Sequence, residues 1–335
     1  MPLSIYKNQS VSRPDLAEYG KREFKTPVGM IGGKVMPRQF VPQLSGVFYF
    51  RPWETVPSAQ TGRSPSGSVT FAGNTSTAKS FTAKEVISRM GVDISQIPLE
   101  GGDENAEMRI LRNAFLAAQG QLETDIVSAL AFSDPDAVIT GAVYAGIKTY
   151  KSALLPKVRG HRGKMCLVGG TTALETVRND TIIAARFLNI GIAPDSRLGN
   201  ADAREIGLSG IASTLGISEV IEGSDSYWPS HSVLLGWLPE VGEDDEATED
   251  ATASAQLGRT LVYKYADPVS GWISVREGFA YDLVSPFIDA VSYYTPTVLN
   301  GAFFYRLQVT AGNPITTTTT TATTSATATV TATST

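Results

Sequence analysis

The chain has 335 residues, 42% hydrophobic and 18% charged, enough for one large core or two medium ones and too apolar for wholesale disorder. A formal charge of −5 argues against a dedicated nucleic-acid-gripping surface, which would carry a basic excess. The single cysteine, Cys166, excludes an intramolecular disulfide framework, and His161 and His231 add too little to it for a zinc cluster.

Residues 1–40 hold Pro14, Pro27, Pro37 and the Gly32–Gly33 pair without a sustained hydrophobic period, which predicts an extended arm with no core of its own. SGVFYFRPWE then has strand composition, AQTGRSPSGS is a Gly/Ser/Pro tip, and SVTFAGNTSTAKSFTAKEVIS returns as strand. Residues 46–88 thus predict a long two-stranded arm with few apolar residues. An isolated hairpin is marginal in water, so this arm is expected to lie on the domain or on a neighbouring chain.

From Gly101 to Phe132 the pattern is that of one helix of roughly 30 residues, about 45 Å long. Met108, Leu111, Phe115, Ala118, Leu122, Ile126 and Leu130 recur at three- and four-residue steps and form one stripe, the expected core of the helix. Asp103 is placed to cap the first turn, Asp103, Glu104 and Glu107 suit the positive helix end, and Asp134–Pro135 stops the element. Gly120 in its interior costs on the order of 1 kcal/mol against Ala and has to be offset by packing.

A second helix is predicted through Val138, Ile139, Ala142, Val143, Ile147, Tyr150 and Leu154, ending at Pro156. KVRGHRG is a basic turn, KMCLVGG a short buried strand, TTALETVRN and LGNADAREIGLSGIASTLG helices, and SEVIEG and SVLLGWLP strands. This alternation predicts a compact α/β unit between about 157 and 240. Residues 240–250 carry seven carboxylates and no base, the composition of a solvated loop; a divalent-ion site is the alternative, but EF-hand spacing and its glycine are absent. Residues 260–277 predict a hairpin turned at DPVSG, FAYDLVSPFIDAVSYY is an apolar stretch, and AFFYRLQVT alternates as a final strand. Beyond Pro314 the Thr/Ala-rich chain has no charge and almost nothing to bury, so a flexible tail is expected.

Chemical motifs are sparse. VGGTTALE is a strand-to-helix turn with a candidate capping box at Thr172 and Glu175, yet it lacks both the Walker Lys-Ser/Thr and G-x-G-x-x-G. G-x-S-x-G and H-E-x-x-H are absent, and Cys166 in KMCLV reads as a buried, inert thiol. No catalytic, cofactor-binding or metal-ligating set emerges, so an enzyme is not expected. No apolar run approaches the ~20 residues of a membrane span, and MPLSIYKNQS lacks a signal peptide's apolar core, which predicts a soluble chain of the cytoplasm.

Taken in order, these segments resemble the major capsid protein of tailed bacteriophages, the HK97-like fold. The matching words are KVMPRQFVPQLSGVFYFRPWE, KEVISRMGVDISQIPLEGGDENAEMRILRNAFLAAQGQLETDIVSAL, KMCLVGGTTALETVRND, ISEVIEG…YW…SVLLGWLP and AFFYRLQVT, spanning roughly residues 25–310. The resemblance implies an α+β chain with an N-terminal arm (1–45), an extended β-hairpin loop (46–88) and a peripheral domain (89–156) with its spine helix at 103–132. An axial domain (157–255), a return to the peripheral strands (256–312) and a Thr-rich tail (313–335) complete it. It implies that Phe48, Phe50, Trp53 and Phe71 contact an adjacent subunit, while Met108, Leu111, Phe115, Leu122 and Ile126 form the spine-helix core. The implied function is self-assembly into pentamers and hexamers of an icosahedral shell around double-stranded DNA, contacted weakly and without sequence specificity, in a virion assembled in the host cytoplasm. Homo-oligomeric capsid subunits, a separate scaffolding protein and a portal are the implied partners, with no membrane and no cofactor. The short arm holds no large cleavable scaffolding segment, and Lys79 and Lys84 lie near the loop with no assignable Asn or Glu, so covalent cross-linking is not expected. An encapsulin-like compartment is the alternative with the same fold, and an α/β enzyme using the GGTT turn is a distant third.

Overall fold

The computed structural model describes residues 10–24, 26–50, 77–91, 103–158, 163–183, 200–238, 257–263, 272–280 and 285–309. The chain forms β1 (Ser10–Ser12), α1 (Pro14–Glu23), α2 (Gly32–Val35), β2 (Arg38–Val41), β3 (Ser45–Phe50), β4 (Thr77–Thr82) and β5 (Lys84–Gly91). The long helix α3 (Asp103–Ala129) follows, then β6 (Ala137–Ile139), α4 (Val143–Val158), β7 (Lys164–Gly170), α5 (Thr171–Arg178) and α6 (Asn200–Leu215). The last strands are β8 (Glu219–Gly223), β9 (Ser232–Leu238), β10 (Gly258–Tyr263), β11 (Ser274–Ala280), β12 (Ser285–Val298) and β13 (Phe304–Val309).

Two sheets carry the architecture. The first has six strands organised by β12, which is 14 residues long. One edge of β12 takes β11 and then β10, both antiparallel, while β5 runs along the other; Tyr294 pairs with Val262 on one side and Lys84 on the other. β1 extends this sheet beyond β11, and β2 adds to β10 in parallel. The second sheet has the order β6-β13-β9-β7-β8. β3 and β4 pair only with each other, Phe48 opposite Lys79.

α3 lies across both sheets. Its first half packs Leu111, Ala114, Phe115 and Ala118 against Ile273, Val275, Ile288 and Ala290 of the six-stranded sheet. Its second half sends Leu122, Ile126 and Leu130 into a cluster that holds Val262 and Tyr294 from the first sheet and Cys166, Val168 and Leu234 from the second. The other face of the five-stranded sheet is covered by α4, α5 and α6, with Ile147, Leu154, Leu174, Val177 and Ile211 against Met165, Leu167, Leu235 and Leu307. β7 therefore alternates between two cores, Met165 and Leu167 one way, Cys166 and Val168 the other, which is why KMCLVGG reads as a continuously apolar strand. Among the described residues no helix is long and apolar enough to cross a membrane.

Several expectations are corrected. The N-terminal arm is not wholly extended: α1 and α2 form, and Ala17, Ile31, Val35 and Met36 are buried on the body of the chain. The return strand of the hairpin stops at Thr82, and β5 pairs with β12, because its Val86 and Met90 have apolar partners there. Val138 and Ile139 belong to strand β6, parallel to β13, and α4 starts only at Val143 and runs two residues past Pro156. β10 and β11 do not form a hairpin with each other; each pairs with β12. β13, expected beside the strands of 260–277, instead joins β9 and β6 in the five-stranded sheet. The acidic 240–250 segment, the residues beyond 309 and the tip of the hairpin lie outside the described residues.

Candidate subunit-contact site

The alternation of β3 and β4 decides what the hairpin base presents. Phe48 and Lys79 share one face and Val47 and Ser80 the other, since paired residues across an antiparallel ladder point the same way. The Phe48 face turns to the six-stranded sheet: its half-buried ring stands 6.0 Å from the Arg259 guanidinium carbon, and the Lys79 ammonium donates to the Val298 carbonyl. Arg259 is buried, and burial pulls its pKa down to about 10; its Nη1 donates to the Gln39 side-chain oxygen. The opposite face is left to solvent. Val47 is 51% exposed and Leu44, just before the strand, 44%.

Of the residues expected to touch a neighbouring subunit, Phe48 is thus engaged on its own chain. Phe50 is on β3 but its side chain lies outside the described ones, as do Trp53 and Phe71 altogether. The spine-helix set comes together as the periodicity predicts: Leu111, Phe115, Leu122 and Ile126 are buried and Met108 is half-buried. The side chains of the first turn, Asp103 to Glu107, are outside the described ones.

What the sequence reading missed sits on the flank of that stripe. Glu123 is 3% exposed and accepts three N–H groups: Ile31 N to Oε1 at 2.8 Å, Gly32 N to Oε2 at 2.8 Å, and Trp228 Nε1 to Oε1 at 2.5 Å. A Cβ on Gly32 would stand 2.5 Å from Oε2, so the approach requires glycine. One turn earlier, a Cβ on Gly120 would stand 2.7 Å from the Tyr227 hydroxyl, which explains a glycine inside a long helix. Two residues on, Asp125 Oδ2 accepts from the Tyr294 hydroxyl at 3.0 Å. Only a glutamate next to an apolar stripe was visible in the sequence, and that signal does not separate a buried acceptor from a solvated one.

No protein-family model and no curated protein matches this sequence. Solved structures do match it by shape. A phage-related protein from Bordetella bronchiseptica RB50 superimposes with a TM-score of 0.62 over 92% of this chain and 99% of its own, at 14% identity. The capsid of the cyanophage P-SCSP1u matches with a TM-score of 0.50 over 83% of this chain and 87% of its own, at 8% identity. The fold is HK97-like.

In this HK97-like chain the one turn that could have cradled a phosphate is already filled. Asp225 takes the N-terminus of α5: the Thr172 N–H reaches Oδ1 at 3.1 Å and the Thr172 hydroxyl donates to Oδ2 at 2.7 Å. Thr171 Oγ1 donates to Glu222 Oε1 at 2.8 Å. The cap residue is Gly170, with no side-chain cap, so the capping box expected at Thr172 and Glu175 does not form. Gly170 and Gly223 are needed for the close approach of Asp225 and Trp228, not of a ligand. Among the described residues no group of three or more His, Cys, Asp or Glu is placed to hold a metal ion.

Proposed function

We propose that this chain is a major capsid protein that self-assembles into the pentamers and hexamers of an icosahedral shell enclosing double-stranded DNA. The observation that carries the reading is the hairpin base. On an HK97-like body, two short strands pair only with each other, one face held by Phe48 and Lys79 and the other presenting Leu44 and Val47. Two strands alone bury too little to be stable, and open strand edges seek partners. A second subunit supplies them, and Phe50, Trp53 and Phe71 further along the arm are the aromatic anchors for that contact.

In this reading the six-stranded sheet with α3 is the peripheral domain, and the five-stranded sheet with α4, α5 and α6 is the axial domain facing the capsomer centre. Residues 1–45 are the N-terminal arm and 313–335 a dispensable tail. A net charge of −5 suits an inner wall that contacts packaged DNA weakly and without sequence specificity. A separate scaffolding protein and a portal complete the assembly, in the host cytoplasm, and the product is the virion shell. Its role is structural rather than catalytic.

The test replaces residues 52–75 with a short Gly-Ser linker, leaving the β3–β4 pairs intact. The full chain is expected to form closed particles in electron micrographs. The variant is expected to be a soluble, cooperatively unfolding monomer or single capsomer. Closed shells from the variant would remove the intersubunit clamp, a full chain that never assembles would overturn the capsid reading, and native particles filled with a protein cargo would replace it with an encapsulin-like compartment.

A further inference from the structure

We infer that Glu123 is the joint that fixes the mutual orientation of the two sheets, and thereby the curvature at which subunits close into a shell; this rests on the capsid reading above. The argument starts from a difference between two kinds of contact. The cluster between the sheets is apolar, and apolar burial is non-directional: it holds surfaces together without selecting one rotation between them. A carboxylate accepting three N–H groups selects one geometry, because each bond weakens steeply away from its preferred distance and angle.

The three donors come from different parts of the chain. Ile31 and Gly32 open α2, which runs through Met36 and Pro37 directly into β2 of the six-stranded sheet. Trp228 lies between β8 and β9 of the five-stranded sheet, 1% exposed, its ring edge-on to Phe132 with centroids 5.9 Å apart. One side chain on α3 therefore ties both sheets to the helix that crosses them. The neighbouring contacts reinforce the joint: Ser224 N donates to Gly29 O at 2.9 Å across the same two segments, and Gly29 takes a positive φ of 106° to meet it. Asp125 holds Tyr294 of β12. All three groups facing the Glu123 oxygens are donors, so any replacement that brings its own N–H or O–H there loses at least one bond.

A closed shell needs the same angle in every copy, since symmetric closure fails when the rotation between neighbours is not the one that closes. Loss of the joint is thus expected to spare folding and spoil closure. The test uses the full chain with two variants: Glu123→Gln, which sets an amide N–H against N–H donors, and Trp228→Phe, which keeps an aromatic ring and removes one donor. Ile147→Val, deep in the other core, is the control for a general loss of stability. Both joint variants are expected to unfold cooperatively, and to lose the single particle peak in sedimentation in favour of open or polymorphic assemblies, while Ile147→Val keeps the wild-type peak. Closed shells of wild-type diameter from Glu123→Gln and Trp228→Phe would overturn the inference, as would equal polymorphism in Ile147→Val. A wild-type chain that forms no shells at all would instead overturn the capsid reading.

Discussion

Asp289 on β12 and Arg89 on β5 stand directly opposite each other across an antiparallel pair, and the guanidinium closes on the carboxylate with two bonds, Nε to Oδ1 at 2.7 Å and Nη2 to Oδ2 at 2.8 Å. The same guanidinium lies over the Phe287 ring, 4.0 Å from its centroid. Asp289 is almost wholly buried, with 4% of its side chain exposed, whereas Arg89 keeps 47% exposed. Arg89 is thus the cover that lets an ionised residue sit in the central strand of the sheet, and it fixes the register of the edge strand that leaves the hairpin.

Removing that cover is expected to cost more than an ordinary surface ion pair. Arg89→Ala leaves a buried acceptor with its charge-assisted partner gone, worth about 1.5–3 kcal/mol, nearer the lower end because solvent screens the half-exposed guanidinium. Arg89→Ala with Asp289→Asn should cost less than the two single changes added together. Denaturant unfolding of the double-mutant cycle measures this, and strict additivity would mean the pair is not coupled.

The spine helix makes a sharper distinction. Phe115 is buried, its ring 5.9 Å from that of Phe24, and Gly20 of α1 packs against it. Phe115→Ala should lose about 3–5 kcal/mol, a large share of a domain's ~5–15 kcal/mol. Arg112, exposed on the opposite side, should tolerate Ala within about 0.5 kcal/mol. Unfolding midpoints compare the two; similar small losses would deny α3 its central place.

Gly120 allows a reversal of sign. Ala is the better helix former by about 1 kcal/mol, yet its Cβ would meet the Tyr227 hydroxyl at 2.7 Å. Gly120→Ala is expected to lower Tm in the native background and to raise it in a Tyr227→Ala background. A rise in both would show that the ring moves aside without cost.

Cys166 is fully buried, and burial first, then the nearby Glu219 carboxylate, push its thiol up to about 12 against the opposing pull of Lys164. The folded pKa is raised, so the contribution is complete below the unfolded value of ~8.5 and fades as pH rises from there toward about 12, where only the unfolded chain would otherwise hold the thiolate. The stability advantage of wild type over Cys166→Ala should therefore shrink between pH 8 and pH 10 by at most ~1.4 kcal/mol per pH unit. A thiol reagent should react at the rate of unfolding; rapid labelling of the folded chain would contradict the burial.

The sequence by itself determined the elements whose signal is local. The stripe Leu111–Phe115–Leu122–Ile126 marks a long amphipathic helix because residues at 3.6-residue spacing share a face wherever the helix is placed. KMCLVGG and SVLLGWLP announce strands because both of their faces are apolar. The pairing partners were decided only in three dimensions. β12 carries no alternation to read, since residues 287–292 are buried on both faces, and Pro296 interrupts its donors, so the organising strand of the first sheet looked like an undifferentiated apolar stretch. The placement of β13 beside β9, and of β10 and β11 along one edge of β12, depends on contacts between residues far apart in the chain. Glu123 is the clearest case. Its value as an acceptor exists only where Ile31, Gly32 and Trp228 converge, and a carboxylate gains nothing from those donors until the fold has brought them together and excluded the water that would otherwise compete.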